Sequence, residues 1–308
     1  MRLLLISLLI VIAGCSVLPR VPETGSKPTP EPVIEPPPKP EVKLVLPRIA
    51  LALGGGAARG FAHVGVIKAL EAHGIAPDIV VGTSAGSLVG ALYASGYGGA
   101  DLQRVALQID DTAIADWSLP DRGFIKGEAL QNFVNRAVQN RPLERLNKPF
   151  ATVVTDLQSG EPVVFRTGNT GMAVRASSSV PGVFQPVAIN GRDYVDGGLS
   201  SPVPVRAARG MGAELVIAVY ISYDPRFGKT KDSFDMLLQT FAIMGQNIAG
   251  HELAEADIVI RPDTGAMRGT DFDNRQRAIN EGEKAGLAAI AAIKRKIAEK
   301  TVTVTVIR

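Results

Sequence analysis

Three short stretches carry residues whose types and spacing suit acyl-transfer chemistry. In VVGTSAG, Ser84 stands between Gly82 and Gly86, after a strand-like apolar run and before a helix-like one. A serine on so sharp a strand-to-helix turn has the form of a nucleophile elbow. The glycines remove side chains that would clash, and the hydroxyl projects from the end of the sheet. The positive end of the following helix favours alkoxide character on Ser84. In LALGGGAARG, a glycine run again follows a strand and opens a helix. Counted from Gly54, the sixth position of a dinucleotide fingerprint is Arg59 rather than glycine, and Gly60 is followed by Phe61 and Ala62 where a P-loop needs Lys and Ser or Thr. What remains is a loop of unhindered amides at a helix N-terminus, suited to an anion such as the oxyanion of an ester's tetrahedral intermediate. In YVDGGLSSPVP, Asp196 follows a strand and precedes two glycines that hold its carboxylate on an open turn.

A nucleophilic serine needs a proton acceptor, usually histidine. The chain has His63, His73 and His251. His73 sits beside a helix-ending Gly74, His63 lies one turn into the helix after the glycine loop, and His251 follows Gly250 near the end of a long helix. None falls in a late strand-end loop, where a triad histidine is expected, so a Ser-His-Asp triad is poorly supported. The set GGGAARG, GTSAG and DGG, in that order, resembles the patatin-like phospholipases, whose pattern is G-G-G-x-[KR]-G, G-x-S-x-G and D-G-[GA]. The first motif carries one extra residue before Arg59, a spacing similar to the short bacterial branch, as is the run SSSVPGVFQP. The likeness covers Ile49 to at least Ser222.

That resemblance implies a Ser-Asp dyad, with Ser84 as nucleophile, Asp196 as base, and the amides of Gly54, Gly55 and Gly56, with Arg59 nearby, as the oxyanion site. A carboxylate of ordinary pKa, about 4, is a weak base for a serine hydroxyl. Shielding from water raises its proton affinity, and oxyanion donors worth roughly 3 kcal/mol each stabilise the charge that develops as the proton moves. The implied activity is hydrolysis of carboxyl esters of phospholipids or lysophospholipids through an acyl-serine. Phe61, Val64, Leu88, Val183 and Phe184 are candidates to line an acyl pocket, against the plainer reading that they pack the core. No cofactor is implied, and no Asp, Glu, His or Cys cluster has metal-ligand spacing. Asp156 sits at a strand end, either lining the cleft or capping a turn. The competing readings are a non-catalytic lipid-binding lipoprotein, and a thioesterase or acyltransferase using the same serine.

These residues need a sheet to position them. RIALALG, DIVVG, FATVVTDL, EPVVFRTG, ELVIAVYI and ADIVIRP read as strands; helices are expected over FAHVGVIKALEAHG, Ala85–Ser95, Thr170–Ser179, Phe234–Glu252 and Asn274–Lys300. Helical signals between Ala100 and Asn147 are interrupted by a loop at SLPDRGF. Asn190-Gly191 marks a hairpin. Strands alternating with helices, and reading as continuous apolar runs, predict an α/β fold with a mostly parallel central sheet flanked by helices in three layers. The closing TVTVTVIR alternates as a strand does, either adding to a sheet edge or fraying.

The N-terminus reads as an address. Arg2, the apolar run Leu3–Ile12 and IAGC match a signal peptide over residues 1–14, too short for a transmembrane helix of about 20 residues. IAGC resembles a bacterial lipobox, so Cys15, the chain's one cysteine, is the expected lipidation site, and Ser16 after it resembles the outer-membrane sorting pattern. Residues 15–47 form the expected lipidated start and proline-rich tether, and 48–308 the catalytic domain. The expected location is a bacterial envelope membrane, the outer more than the inner, with phospholipid as partner. A net charge of +3 over 308 residues, with both signs interspersed, gives no nucleic-acid groove.

Overall fold

Strands form where the sequence places unbroken apolar runs, and helices where apolar residues recur every three to four positions. The computed structural model describes residues 25, 41–109, 125–228 and 230–306. In chain order the elements are β1 (Glu41–Val45), β2 (Ile49–Leu53), α1 (Phe61–Ala72), β3 (Ile79–Thr83), α2 (Ala85–Ala94), α3 (Gly99–Gln108), α4 (Glu128–Ala137), β4 (Phe150–Asp156) and β5 (Pro162–Phe165). There follow α5 (Thr170–Ser177), β6 (Val187–Ile189), β7 (Arg192–Asp196), α6 (Val205–Gly210), β8 (Leu215–Val219), α7 (Ser233–Leu253), β9 (Ile258–Ile260), α8 (Arg275–Lys300) and β10 (Val302–Val306). The signal segment 1–14, Cys15, most of the tether and the SLPDRGF loop lie outside the described residues. Residues Val42–Thr305 form one compact unit.

The last part of the expected tether is a strand. Like TVTVTVIR, EVKLV alternates with period two, and β1 pairs with β10 in a separate two-stranded sheet rather than extending the main one.

The main sheet has eight strands, hydrogen-bonded in the path β6-β7-β4-β3-β2-β8-β9, with β5 also on β4. β2 runs parallel to β3 and β8, β3 to β4, and β8 to β9, whereas β5 and β7 are antiparallel to β4. Both faces are covered. Leu51 and Leu53 of β2 pack with Ile67 and Leu70 of α1 and Ile290 and Ile293 of α8, while Ala50 and Ala52 face Ala208 of α6 and Ala249 and Leu253 of α7. Each large side chain so buried contributes about 1.5–3 kcal/mol, and together they hold the strand ends where the chemistry sits.

One detail of register decides where the site forms. β5 occupies one edge of β4 from Thr152 to Thr155, so β3 and β7 must share the other edge. β3 runs up that edge and stops at Thr83, opposite Val153; β7 comes the other way and stops at Asp196, opposite Val154. The two strands therefore meet with their C-terminal ends facing. The residue after one and the last residue of the other are brought into contact.

Candidate active site

Ser84 follows β3 and caps α2 with φ 52° and ψ −123°. A non-glycine residue held there costs about 1–3 kcal/mol and persists only where its surroundings over-determine it. Here they do. The Ser84 amide donates to Ser177 Oγ at 2.9 Å, the Ser177 hydroxyl donates to the Val153 carbonyl at 2.6 Å, and the Ser87 hydroxyl donates to the Ser84 carbonyl at 2.6 Å. The flanking glycines let backbone touch backbone. A Cβ on Gly86 would lie 2.1 Å from the Leu53 carbonyl oxygen, and one on Gly82 would lie 2.4 Å from that of Gly86.

The Ser84 hydroxyl donates to Asp196 Oδ2 at 2.6 Å, and the other carboxylate oxygen, Oδ1, accepts the Gly198 amide at 2.7 Å. Thr155 Oγ1 donates to the Asp196 carbonyl at 2.9 Å and fixes the backbone of the turn. Both side chains are buried. Burial pushes the Asp196 carboxyl up to about 6, against the smaller opposing pull of the Ser84 hydroxyl and the Gly198 amide. It is a stronger base than an ordinary aspartate while still ionised at neutral pH.

The glycine loop lies beside the serine: a Cβ on Gly55 would stand 3.2 Å from that of Ser84. The expected oxyanion set needs correction. The amides of Gly54 and Gly55 are already spent, donating to the carbonyls of Val219 and Pro202, each at 3.0 Å. Arg59 is buried, and its Nε and Nη1 donate to the carbonyls of Ile221 and Met267 at 2.9 and 2.8 Å, with the guanidinium 5.1 Å from the Tyr223 ring centre. It ties the glycine loop to the segments after β8 and β9, and burial lowers its pKa to about 10. Of the predicted donors, the Gly56 amide alone has no acceptor among the described residues; the Ala57 amide, which was not singled out, is in the same condition.

His63 has a bracing role. Its Nε2 donates to the Gly54 carbonyl at 2.8 Å, and complete burial depresses its pKa to about 4, so the ring is neutral. His73 bonds the Ala69 carbonyl at the helix end, and His251 is exposed. Asp156 caps its own turn, accepting the amides of Gln158 and Ser159 and pairing with Arg192. Among the candidate acyl-pocket residues, Val64 is core; Phe61 packs edge-on against Phe272, and Leu88, Val183 and Phe184 are half-buried.

Two contributors escaped sequence reasoning. Ser177 holds the elbow as described. Glu252, buried at the end of α7, accepts the Ser201 hydroxyl at 2.5 Å and the Val203 amide at 2.9 Å; burial pushes it up to about 7. The segment it grips also receives the Thr83 hydroxyl, at the Ser201 carbonyl, and the Gly55 amide, at the Pro202 carbonyl. All three motifs are thus joined through residues 201–203. The one mark in the sequence was an acid at helical spacing within the apolar stripe of Ala249 and Leu253.

Comparison with known proteins gives the chain a family. A family model described as patatin-like phospholipase matches residues 51–209. The chain is 37% identical over 183 residues to an uncharacterized NTE family protein of Mycobacterium bovis, covering 57% of this chain and 49% of that relative. It is 36% identical over 179 residues to patatin-like phospholipase domain-containing protein 6 of Mus musculus, covering 56% of this chain and 13% of that one. The matched stretch thus spans about half the length of the mycobacterial relative and far less of the mammalian one. Among solved structures, VipD from Legionella pneumophila aligns with a TM-score of 0.57 at 14% identity, over 86% of this chain and 71% of that one, which bears out the three-layer α/β fold.

Proposed function

The chain belongs to the patatin-like phospholipase family, and we propose that it hydrolyses carboxyl esters of phospholipids or lysophospholipids with Ser84 as nucleophile and Asp196 as base. The observation that carries this reading is the 2.6 Å hydrogen bond from the Ser84 hydroxyl to a buried carboxylate of raised proton affinity. Ser84 Oγ attacks the ester carbonyl carbon as its proton passes to Asp196 Oδ2, and the carbonyl π pair moves onto oxygen. The Gly56 and Ala57 amides, free of internal acceptors among the described residues, are the donors for that oxyanion. Collapse breaks the bond to the alcohol, which leaves with the proton from Asp196. Water then gives a proton to Asp196, attacks the acyl-serine and releases the fatty acid, and Ser84 recovers its proton.

On the same reading, Cys15 is lipidated and the proline-rich tether spaces the domain from a bacterial envelope membrane, more the outer than the inner, in keeping with the short bacterial branch of the family. IAGC at the end of an apolar run supports it. The test is incubation with defined phospholipids and lysophospholipids followed by mass analysis of the products. Ser84→Ala and Asp196→Asn are each expected to lower turnover at least about 1,000-fold, and His63→Gln to retain a Ser84-dependent rate. Identical products from the parent and Ser84→Ala would overturn the assignment.

A further inference from the structure

α7 departs from the pattern of a packed helix. Among its described side chains before Ala249 none is buried, yet Met236, Leu237, Leu238, Ile243 and Met244 fall on that stretch. Met236 and Met244 are each 52% exposed and Ile243 47%; Phe227, on the turn of Pro225–Phe227 that packs beside α7, is 52% exposed. Met236, Leu237 and Leu238 are consecutive and so point around the helix rather than along one stripe. An apolar surface of this kind on a water-facing helix marks a contact made with something else. The helix is not a membrane span: no described helix is long and apolar enough to cross a bilayer. The stretch from Met236 to Met244, nine residues interrupted by Gln239 and Thr240, is short enough to suit a segment lying in an interface.

Its place in the fold says what lies opposite. Gly245, directly after Met244, stands against the turn that follows Asp196: a Cβ there would touch the Gly198 carbonyl at 3.9 Å. Two turns further on, Glu252 grips residues 201–203. The apolar stretch is therefore continuous with the wall of the candidate active site. Charge is not the attraction, because across residues 224–235 the acids Asp224, Asp232 and Asp235 offset the bases Arg226, Lys229 and Lys231, and Arg226 is paired with Asp224.

We infer that the N-terminal two-thirds of α7, with Phe227, seats on the hydrocarbon–headgroup boundary of a lipid surface and sets the Ser84–Asp196 cleft against it. This rests on the lipid-ester reading of the site. Contact is apolar, so neutral phosphatidylcholine suffices and salt has little effect.

Because Cys15 is the chain's one cysteine, a cysteine added to the full-length Cys15→Ser chain takes the single label, and that chain lacks the proposed lipid anchor. With Met244→Cys carrying an environment-sensitive fluorophore, phosphatidylcholine vesicles are expected to shift emission to the blue, and lipids brominated in their acyl chains to quench it at least twofold, at low salt and at about 0.5 M alike. The same label at Lys284→Cys, on α8 across the sheet, is expected to stay unquenched. Leu237→Asp with Ile243→Asp is expected to abolish the shift and to lower the ratio of vesicle to soluble-ester turnover about tenfold. No quenching at Met244→Cys overturns the inference, as does a shift that follows protein concentration without lipid, which would assign the face to a second copy. Quenching in a chain that hydrolyses no lipid ester leaves the docking face standing and removes the hydrolase reading alone.

Discussion

The turn at Ser84 and the exposed stretch of α7 break the usual inside–outside rule in opposite directions. At the first, polar groups are buried: Ser84, Thr83, Ser177, Asp196 and Glu252 all lie inside, hydrogen-bonded to one another or to backbone. At the second, methionine, leucine and isoleucine stand in water. Packing quality differs as sharply. Around Gly86 a single added methyl would enter backbone van der Waals space, while around Ile243 solvent would absorb it. Stability is concentrated where the reaction needs fixed geometry and is absent where the molecule needs only to touch something soft. Both exceptions sit at one end of the sheet, joined through Glu252.

That contrast can be broken by mutation. Gly86→Ala is expected to cost at least about 3 kcal/mol, read as a fall in urea midpoint, or to yield no soluble protein, since a strand carbonyl must move to admit the methyl. A midpoint near that of the parent would mean the elbow is looser than its contacts.

Asp196→Asn sharpens the comparison through pH. A carboxyl whose folded pKa is raised contributes fully below its unfolded pKa, near 3.8, and loses that contribution as pH climbs through about 6. The parent should therefore gain nothing from its acid at pH 8, where the ionised group is buried, and Asp196→Asn should be more stable by about 3 kcal/mol there and no more stable near pH 3.5. Glu252 titrates in the same direction in both proteins, so the difference isolates Asp196. The same ionisation predicts that kcat/KM rises to a plateau above about pH 6. A pH-independent gap between the two proteins would show that the carboxyl is not desolvated.

At the other pole, Ile243→Ser is expected to change stability by no more than about 0.5 kcal/mol. A larger loss would mean that α7 packs against the body more tightly than its exposure shows.

Much of this was legible in the residues. Asn190 and Gly191 take φ 53° and 78° at the tip of the β6–β7 hairpin, as that pair commonly does. The glycine-flanked motifs fell at strand ends because a strand that must turn at once into a helix or a tight loop leaves no room for Cβ atoms. What could not be read depends on partners far along the chain. A run of three glycines does not disclose which amides are already spent; Gly54 extends the sheet against Val219, and Gly55 ties to the Pro202 carbonyl of the turn after Asp196. Arg59 looked like an anion ligand because arginine often is one, but its acceptors lie 162 and 208 positions away. The head-on meeting of β3 and β7 along β4 is likewise invisible to local pattern, since an antiparallel strand interrupts an otherwise parallel order. The EVKLV strand was hidden by its proline-rich neighbours.

The separation of Ser84 from Asp196 by 112 positions has a consequence in time. As the ribosome releases the chain, the serine emerges long before its base, and β7 has no seat until β4 stands beside β3. An unfinished or misfolded copy has a hydroxyl no more reactive than any other. The proposed chemistry thus waits on the closing of the sheet.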